Sequence, residues 1–251
     1  MTATYLTQWR EEQVAGHLVD VFEPSQPNEH GHLLIYLHGV HEGRLVSSEP
    51  FTAEFERLGL PVVAPMTRRS WWTDRICPEF DAECSAERHL LERVLPWIGE
   101  RYSAAPPKIG LFGTSMGGQG ALRIALKHPE TFPVVAAISP AIDFQRLWDE
   151  GDETLQAMYD DAEAARQETA ILYVRPLWWP RHIFFCCDPT DHRWFESSDR
   201  LQMKMSSMGI PFEADPETEA GGHGFGYYNH MAERAVGFLA ERLDQERRRL
   251  V

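Results

Sequence analysis

Short β-branched or apolar runs alternate along this chain with longer amphipathic segments. Alternation of this kind predicts an α/β fold, a mainly parallel central sheet with helices on both faces. The runs predict strands at Val14–Phe22, Leu33–Leu37, Val62–Ala64, Lys108–Phe112, Val134–Ile138, Ile183–Cys187 and Phe212–Asp215. Helical spacing predicts helices near Phe51–Leu58, Ala82–Arg101, Gly118–His128, Trp194–Met208 and Gly226–Arg249. In the last of these, Met231, Ala235, Phe238 and Leu239 recur on one face and are expected to pack on the sheet. Residues 143–181 break the rhythm, with an acidic run from Asp149 to Glu163 followed by an aromatic stretch ending at Pro180. A connection this long is read as a lid-like insertion over the carboxyl edge of the sheet, with a plain pair of surface helices as the alternative. Residues 1–251 are expected to form one domain.

The composition is that of an ordinary globular chain: 251 residues, 43% apolar and 25% charged. A formal charge of −14 argues against nucleic-acid and membrane partners, because such a surface repels polyphosphate and anionic lipid. Arg247, Arg248 and Arg249 end a predicted helix, where positive charge suits the dipole. The first dozen residues lack a basic start followed by an apolar stretch, so a cytoplasmic location is expected. Cys77, Cys84, Cys186 and Cys187 form no Cys-x-x-Cys pair and are expected as free thiols. On a strand, Cys186 and Cys187 would point to opposite faces, which argues against a shared metal site.

The strongest chemical signal is Gly113-Thr-Ser-Met-Gly117, set between an apolar strand and an Ala/Leu-rich helix. Glycine at 113 and 117 allows a sharp strand-to-helix turn that pushes Ser115 outward. The serine then stands at a helix N-terminus, whose free N–H groups favour the negative oxygen formed when a serine attacks a carbonyl. The spacing is neither that of a dinucleotide-binding turn nor that of a P-loop.

A serine hydroxyl needs a base to take its proton and a carboxylate to orient that base. Of the downstream histidines, His223 lies in the glycine-rich loop Ala220-Gly-Gly-His-Gly-Phe-Gly226 between the last strand and the last helix, and is the candidate base. Asp191, a few residues past the strand ending at Cys187, is the favoured acid, with slack to turn toward the histidine loop. Asp188 is the runner-up, with a turn-forming role before Pro189 as its alternative, and Asp143 is a third candidate. The developing oxyanion needs two donors: the N–H of Met116, and that of Val40 in the turn after the His38-Gly39 strand end, with His41 as the alternative. His38 itself is read as holding that turn in shape.

These residues resemble the esterase D type of α/β hydrolase, which includes acyl and feruloyl esterases, S-formylglutathione hydrolases and mycolyltransferases. The resemblance runs from about His32 to Leu243. It rests on Tyr36-Leu-His-Gly39, Gly113-Thr-Ser-Met-Gly-Gly-Gln-Gly-Ala-Leu122, His128-Pro-Glu-Thr-Phe132, Ser139-Pro140 and Gly221-Gly-His-Gly-Phe-Gly226. It implies Ser115 as nucleophile, His223 as base and Asp191 as acid, with backbone N–H groups from Val40 and Met116. Members usually place a glycine where this chain has Cys187 before Asp188, which keeps Asp188 in contention.

Carboxylic ester hydrolysis of a small molecule, without cofactor or metal, is therefore the expected activity. Acyl transfer by the same triad and a non-catalytic binding module are the alternatives. A metal site from His38, His41, Asp188, Asp191 and His192 has no recognised ligand spacing. Trp71, Trp72, Trp178 and Trp179, with His41, are the candidate substrate contacts, because these aromatics fall on loops near the same sheet edge. Trp194-Phe195 and the pair Arg68-Arg69 lie near that edge as well. The oligomeric state is left open.

Overall fold

The computed structural model describes residues 8–249. Eight strands form one sheet in the order β1-β2-β4-β3-β5-β6-β7-β8. They are β1 (Trp9–Val14), β2 (His17–Phe22), β3 (Leu33–Leu37), β4 (Val62–Pro65), β5 (Ile109–Thr114), β6 (Val134–Ile138), β7 (His182–Cys186) and β8 (Glu213–Asp215). β2 is antiparallel to both β1 and β4, and every pairing from β4 through β8 is parallel. The sheet thus has the expected mainly parallel character.

One predicted strand divides differently. The run Val14–Phe22 is the end of β1, a turn and β2, because Ala15 and Gly16 take positive φ of 48° and 86°. Two such residues form the hairpin turn whose twist matches paired strands. β1 carries little strand signal because Arg10, Glu11 and Glu12 dilute its alternation, leaving Trp9 and Val14 as its buried positions.

The helices are α1 (Glu49–Leu58), α2 (Ala86–His89), α3 (Leu95–Tyr102), α4 (Met116–Lys127), α5 (Phe144–Asp149), α6 (Glu153–Met158), α7 (Ala162–Arg166), α8 (Phe195–Ser207), α9 (Phe225–His230) and α10 (Ala232–Arg249). A π-helical turn, Leu90–Val94, joins α2 to α3. The limits of α1 follow local chemistry: the Ser48 hydroxyl accepts the Phe51 N–H, and Gly59 ends the helix at φ 64°. No helix among the described residues is long and apolar enough to cross a membrane.

Alternation along the strands divides the core into two layers. Leu33, Ile35 and Leu37 of β3 join the layer that includes α2, α3, α4 and α8 residues, whereas Leu34 and Tyr36 join Phe51, Phe55, Ala235 and Leu239 of α1 and α10. Met231 and Phe238 are buried in that second layer too. Cys186 and Cys187 fall in opposite layers, and all four cysteines are free, Cys84 being partly buried.

Residues 143–181 hold α5, α6, α7 and a short 3-10 turn, Ala170–Tyr173, anchored by buried Leu147, Leu155, Ala165 and Val174. Polar contacts tie this segment to α4. The Gln119 amide donates to the Glu168 carbonyl at 3.2 Å and accepts the Ala170 N–H at 2.9 Å. Arg123, fully buried in α4, pairs with Glu87 of α2 and with Glu168. Removing one partner of such a pair strands the other charge in the core, at a cost of roughly 3–5 kcal/mol. The helix that follows Ser115 is thereby locked to both α2 and the segment 143–181.

Candidate active site

Ser115 sits between β5 and α4 with φ 54° and ψ −118°, a strained backbone for a residue with a Cβ. The tightness of the turn explains its two glycines. A Cβ on Gly113 would lie 2.2 Å from the Gly117 carbonyl oxygen, and one on Gly117 would lie 1.8 Å from that of Leu37. Two backbone bonds hold the serine to the end of β6: Ser115 N–H to Ile138 O and Ala141 N–H to Ser115 O, both 3.0 Å.

The loop carrying His223 contains Gly221, Gly222 and Gly224 at φ 95°, 77° and 137°. One oxygen of Asp188 accepts the N–H groups of Ala220 and Gly222 at 2.7 and 2.8 Å. The other accepts the Thr190 N–H and hydroxyl at 2.8 and 2.6 Å. Asp188 therefore anchors the histidine loop through its backbone, while the histidine ring meets Asp191. His223 Nδ1 lies 2.6 Å from Asp191 Oδ2, and His223 Nε2 lies 2.9 Å from Ser115 Oγ. A carboxylate can only accept, so Nδ1 carries the proton and Nε2 presents its lone pair to the serine hydroxyl. Asp191 is buried, and the Cys187 thiol points at the same oxygen from 3.8 Å. Asp143 instead caps α5 and pairs with Arg200.

Burial alone would raise the Asp188 carboxyl, but the Thr190 hydroxyl and the loop amides outweigh it and hold the group at about 2. Glu87 follows the same pattern: burial opposes, and the His128 ring, Arg123 and Lys127 hold it at about 2. The ordinary values are 3.8 and 4.5, so both folded-state values are depressed. Their stabilisation is complete above those ordinary values and is lost as pH falls through about 2. The urea midpoint is accordingly expected to fall steadily on acidification from about pH 5 to pH 2. A flat midpoint over that range would contradict this account of both carboxylates.

The loop after β3 is held by His38, a buried ring whose Nε2 accepts the Thr67 N–H at 3.0 Å and whose Nδ1 faces the Gly39 carbonyl at 2.8 Å. Burial lowers its pKa and keeps it neutral. Trp72 donates its indole N–H to the His38 carbonyl at 3.1 Å, and its Cβ stands where a Cβ on Gly120 would be, 2.4 Å away. These contacts settle the turn that presents Gly39 and Val40.

A cavity of about 450 Å³ opens over Ser115, within the usual range for small-molecule sites. His223, Val40, His41 and Trp71 line it, as the sequence suggested. Three expected contacts do not. Trp72 is wholly buried beneath the loop after β3, because its indole serves as the clamp on His38. Trp178 is 44% exposed beside a short bridge to Arg175, and Trp179 packs against the core, so neither reaches the cavity wall. Trp194, Leu147, Phe225 and Tyr228 occupy the wall instead. Phe225 and Tyr228 follow His223 closely enough to have been suspected, whereas nothing in the sequence distinguishes Leu147 from an ordinary core residue.

Residues 17–210 match the family model described as Putative esterase. The chain belongs to that family. No curated protein matches its sequence. In fold, this esterase is similar to an S-formylglutathione hydrolase from Agrobacterium tumefaciens, with 19% identity, 94% of each chain covered and a TM-score of 0.75. It is also similar to a ferulic acid esterase, at 18% identity over 94% of this chain and 99% of the other, with a TM-score of 0.72. A fluorophosphonate-binding serine hydrolase of Staphylococcus aureus matches at 16% identity over 92% and 96% of the two chains, with a TM-score of 0.67. Identities this low speak to a shared α/β-hydrolase architecture, and the family model identifies a carboxylic ester hydrolase.

At the cavity rim of the esterase, Arg69 pairs with Glu79 and Arg193 with Glu150. Both cations are therefore largely neutralised by carboxylates of this chain. The apolar wall from Trp71, Leu147 and Trp194 is the larger feature a substrate would meet.

Proposed function

We propose that this esterase cleaves small carboxylic esters through an acyl-enzyme on Ser115. The observation that carries the reading is the continuous relay of Ser115 Oγ, His223 and Asp191, at 2.9 and 2.6 Å, on the wall of the cavity. His223 Nε2 takes the Ser115 proton as Oγ attacks the ester carbonyl, and the imidazolium then passes that proton to the departing alcohol. Asp191 fixes the ring tautomer and stabilises its positive charge. Water, deprotonated by the same Nε2, attacks the acyl-enzyme; the C–Oγ bond breaks and the proton returns to Oγ.

The tetrahedral oxyanion would be held by the N–H groups of Val40 and Met116. Met116 is the first residue of α4, where helix amides have no intrahelical acceptor, and Val40 lines the cavity. Among the described residues neither N–H is taken by a backbone acceptor. Both amides belong to fixed elements, so they require little reorganisation when charge appears. His41 and Trp71 complete the proposed substrate contacts, with the acyl chain against Trp71, Leu147 and Trp194.

The test is a fluorophosphonate probe followed by a panel of p-nitrophenyl esters of increasing acyl length. One covalent adduct per chain, mapped to Ser115, and turnover that varies with acyl length are the expected results. A folded protein with neither adduct nor turnover would leave a hydrolase-like shell without this chemistry.

A further inference from the structure

Gly43 lies in the loop after β3, at a point where the segment carrying His223 leaves no room for a side chain. A Cβ on Gly43 would overlap Cε2 of the Phe225 ring and lie 3.0 Å from its Cζ and 3.5 Å from its Cδ2. Phe225 opens α9, two places after the candidate base. Its ring meets Tyr228 at 5.4 Å between centroids and 64°, and the Tyr228 ring meets His223 edge to face at 5.6 Å and 87°. Tyr228 is buried and its N–H bonds the Gly224 carbonyl at 3.0 Å, so Phe225 has little room to retreat. A line of packed rings therefore runs from the histidine to the backbone of Gly43.

The same glycine is held from the sheet. The buried Tyr36 hydroxyl, near the end of β3, lies 3.5 Å from the Gly43 carbonyl oxygen and 2.8 Å from the hydroxyl of Thr114, the residue before Ser115. A carbonyl only accepts, so Tyr36 donates to Gly43 and accepts from Thr114. Between these anchors the Glu42 N–H bonds the Gly39 carbonyl at 3.0 Å and closes the turn that contains Val40. His38 holds the residues before that turn, and Gly43 follows it.

We propose that Gly43 is a positioning residue, the point at which Phe225 and Tyr36 register the Val40 N–H against Ser115 and His223. The proposal rests on the acyl-enzyme reading of Ser115 with Val40 as an oxyanion donor. Nucleophile, base and donor come from three separate loops, and a donor acts only when aimed at the place the oxyanion will occupy. A displacement of about 1 Å is enough to cost on the order of 10²-fold. Because the rings behind Phe225 are packed, a methyl group at 43 would displace the loop rather than the histidine.

Gly43→Ala should lower kcat/KM for p-nitrophenyl acetate on the order of 10- to 100-fold. The matching thionoester develops its charge on sulfur, a weaker acceptor of N–H bonds, and should lose at least about threefold less. Equal losses on the two substrates place the fault at His223 or in general folding and overturn the proposal, as does an unchanged rate. Leucine at 225 ends at its Cδ atoms and lacks the two ring carbons that crowd position 43. Phe225→Leu alone should cost several-fold by unseating the loop, yet Gly43→Ala/Phe225→Leu should turn over at least about fivefold faster than Gly43→Ala. Losses that multiply in the double variant contradict the assignment. Tyr36→Phe adds no bulk and tests the clamp independently of the folding of Gly43→Ala. Its ester rate should fall about three- to tenfold and its thionoester rate less than about twofold, the scale of one hydrogen bond, and equal falls would again overturn the proposal. Wild-type protein that is neither labelled nor active would remove the Ser115 reading itself, whereas normal wild-type turnover with an unaltered Gly43→Ala removes Gly43 alone.

Discussion

Replacing Ser115 by alanine is expected to lower kcat for activated esters by on the order of 10⁵- to 10⁶-fold and to abolish fluorophosphonate labelling. Thr114 also lines the cavity, but its hydroxyl is engaged by Tyr36 at 2.8 Å, which makes it a poor substitute for the proposed nucleophile. Residual catalysis of roughly 10³-fold over water is expected from the cavity and the proposed amides of Val40 and Met116, which alanine leaves in place. Alanine has the same Cβ as serine, so it inherits the backbone strain at φ 54° and should not disturb the turn. Circular dichroism and the thermal midpoint therefore serve as the control for folding. Turnover by folded Ser115→Ala within tenfold of wild type would show that the ester is cleaved elsewhere.

Asp191→Asn is expected to reduce kcat by about 10⁴-fold at neutral pH with little change in stability. The amide no longer guarantees an acceptor for His223 Nδ1–H. The competing tautomer, protonated on Nε2, then has no lone pair for the Ser115 proton. Asp188→Asn should behave differently, because that carboxylate meets the amides of Ala220 and Gly222 and makes no contact with the imidazole. Losing one acceptor there leaves a buried N–H unsatisfied, with a stability cost of roughly 1–3 kcal/mol. Activity should fall only on the order of 10- to 100-fold through loosening of the loop. Parallel measurement of kcat and urea midpoints separates the two roles. Near-normal activity in Asp191→Asn alongside an inert Asp188→Asn would exchange their assignments.

These two aspartates illustrate how far the chain could be read without coordinates. Both follow the same strand, and both belong to residue types suited to orienting a histidine. Sequence spacing favours Asp191 through the slack of its turn, but the assignment depends on which oxygen faces an imidazole and which faces backbone amides. The tryptophans show the same limit. Trp71 and Trp72 are adjacent and chemically alike, yet one lines the cavity and the other supports the loop after β3 from beneath. Trp178 and Trp179 are separated from the site by the packing of their own segment, which local composition does not encode.

Ser115 and the turn around it were legible because their constraint is local. A serine at positive φ in this turn needs glycine at 113 and 117, and the required strand and helix adjoin it in the chain. The alternation of apolar strands with amphipathic helices likewise determined the parallel sheet, since burial on both faces demands that pattern. Long-range convergence belongs to the tertiary structure alone. His223 lies 108 positions from Ser115, and their 2.9 Å approach depends on the parallel order of β5, β6, β7 and β8. The same order sets Tyr228 of α9 on the cavity wall with Ser115, and lets the segment 143–181 contribute Leu147 to it. Periodicity can specify which face of an element is buried; only the packed sheet decides which distant side chains share that burial.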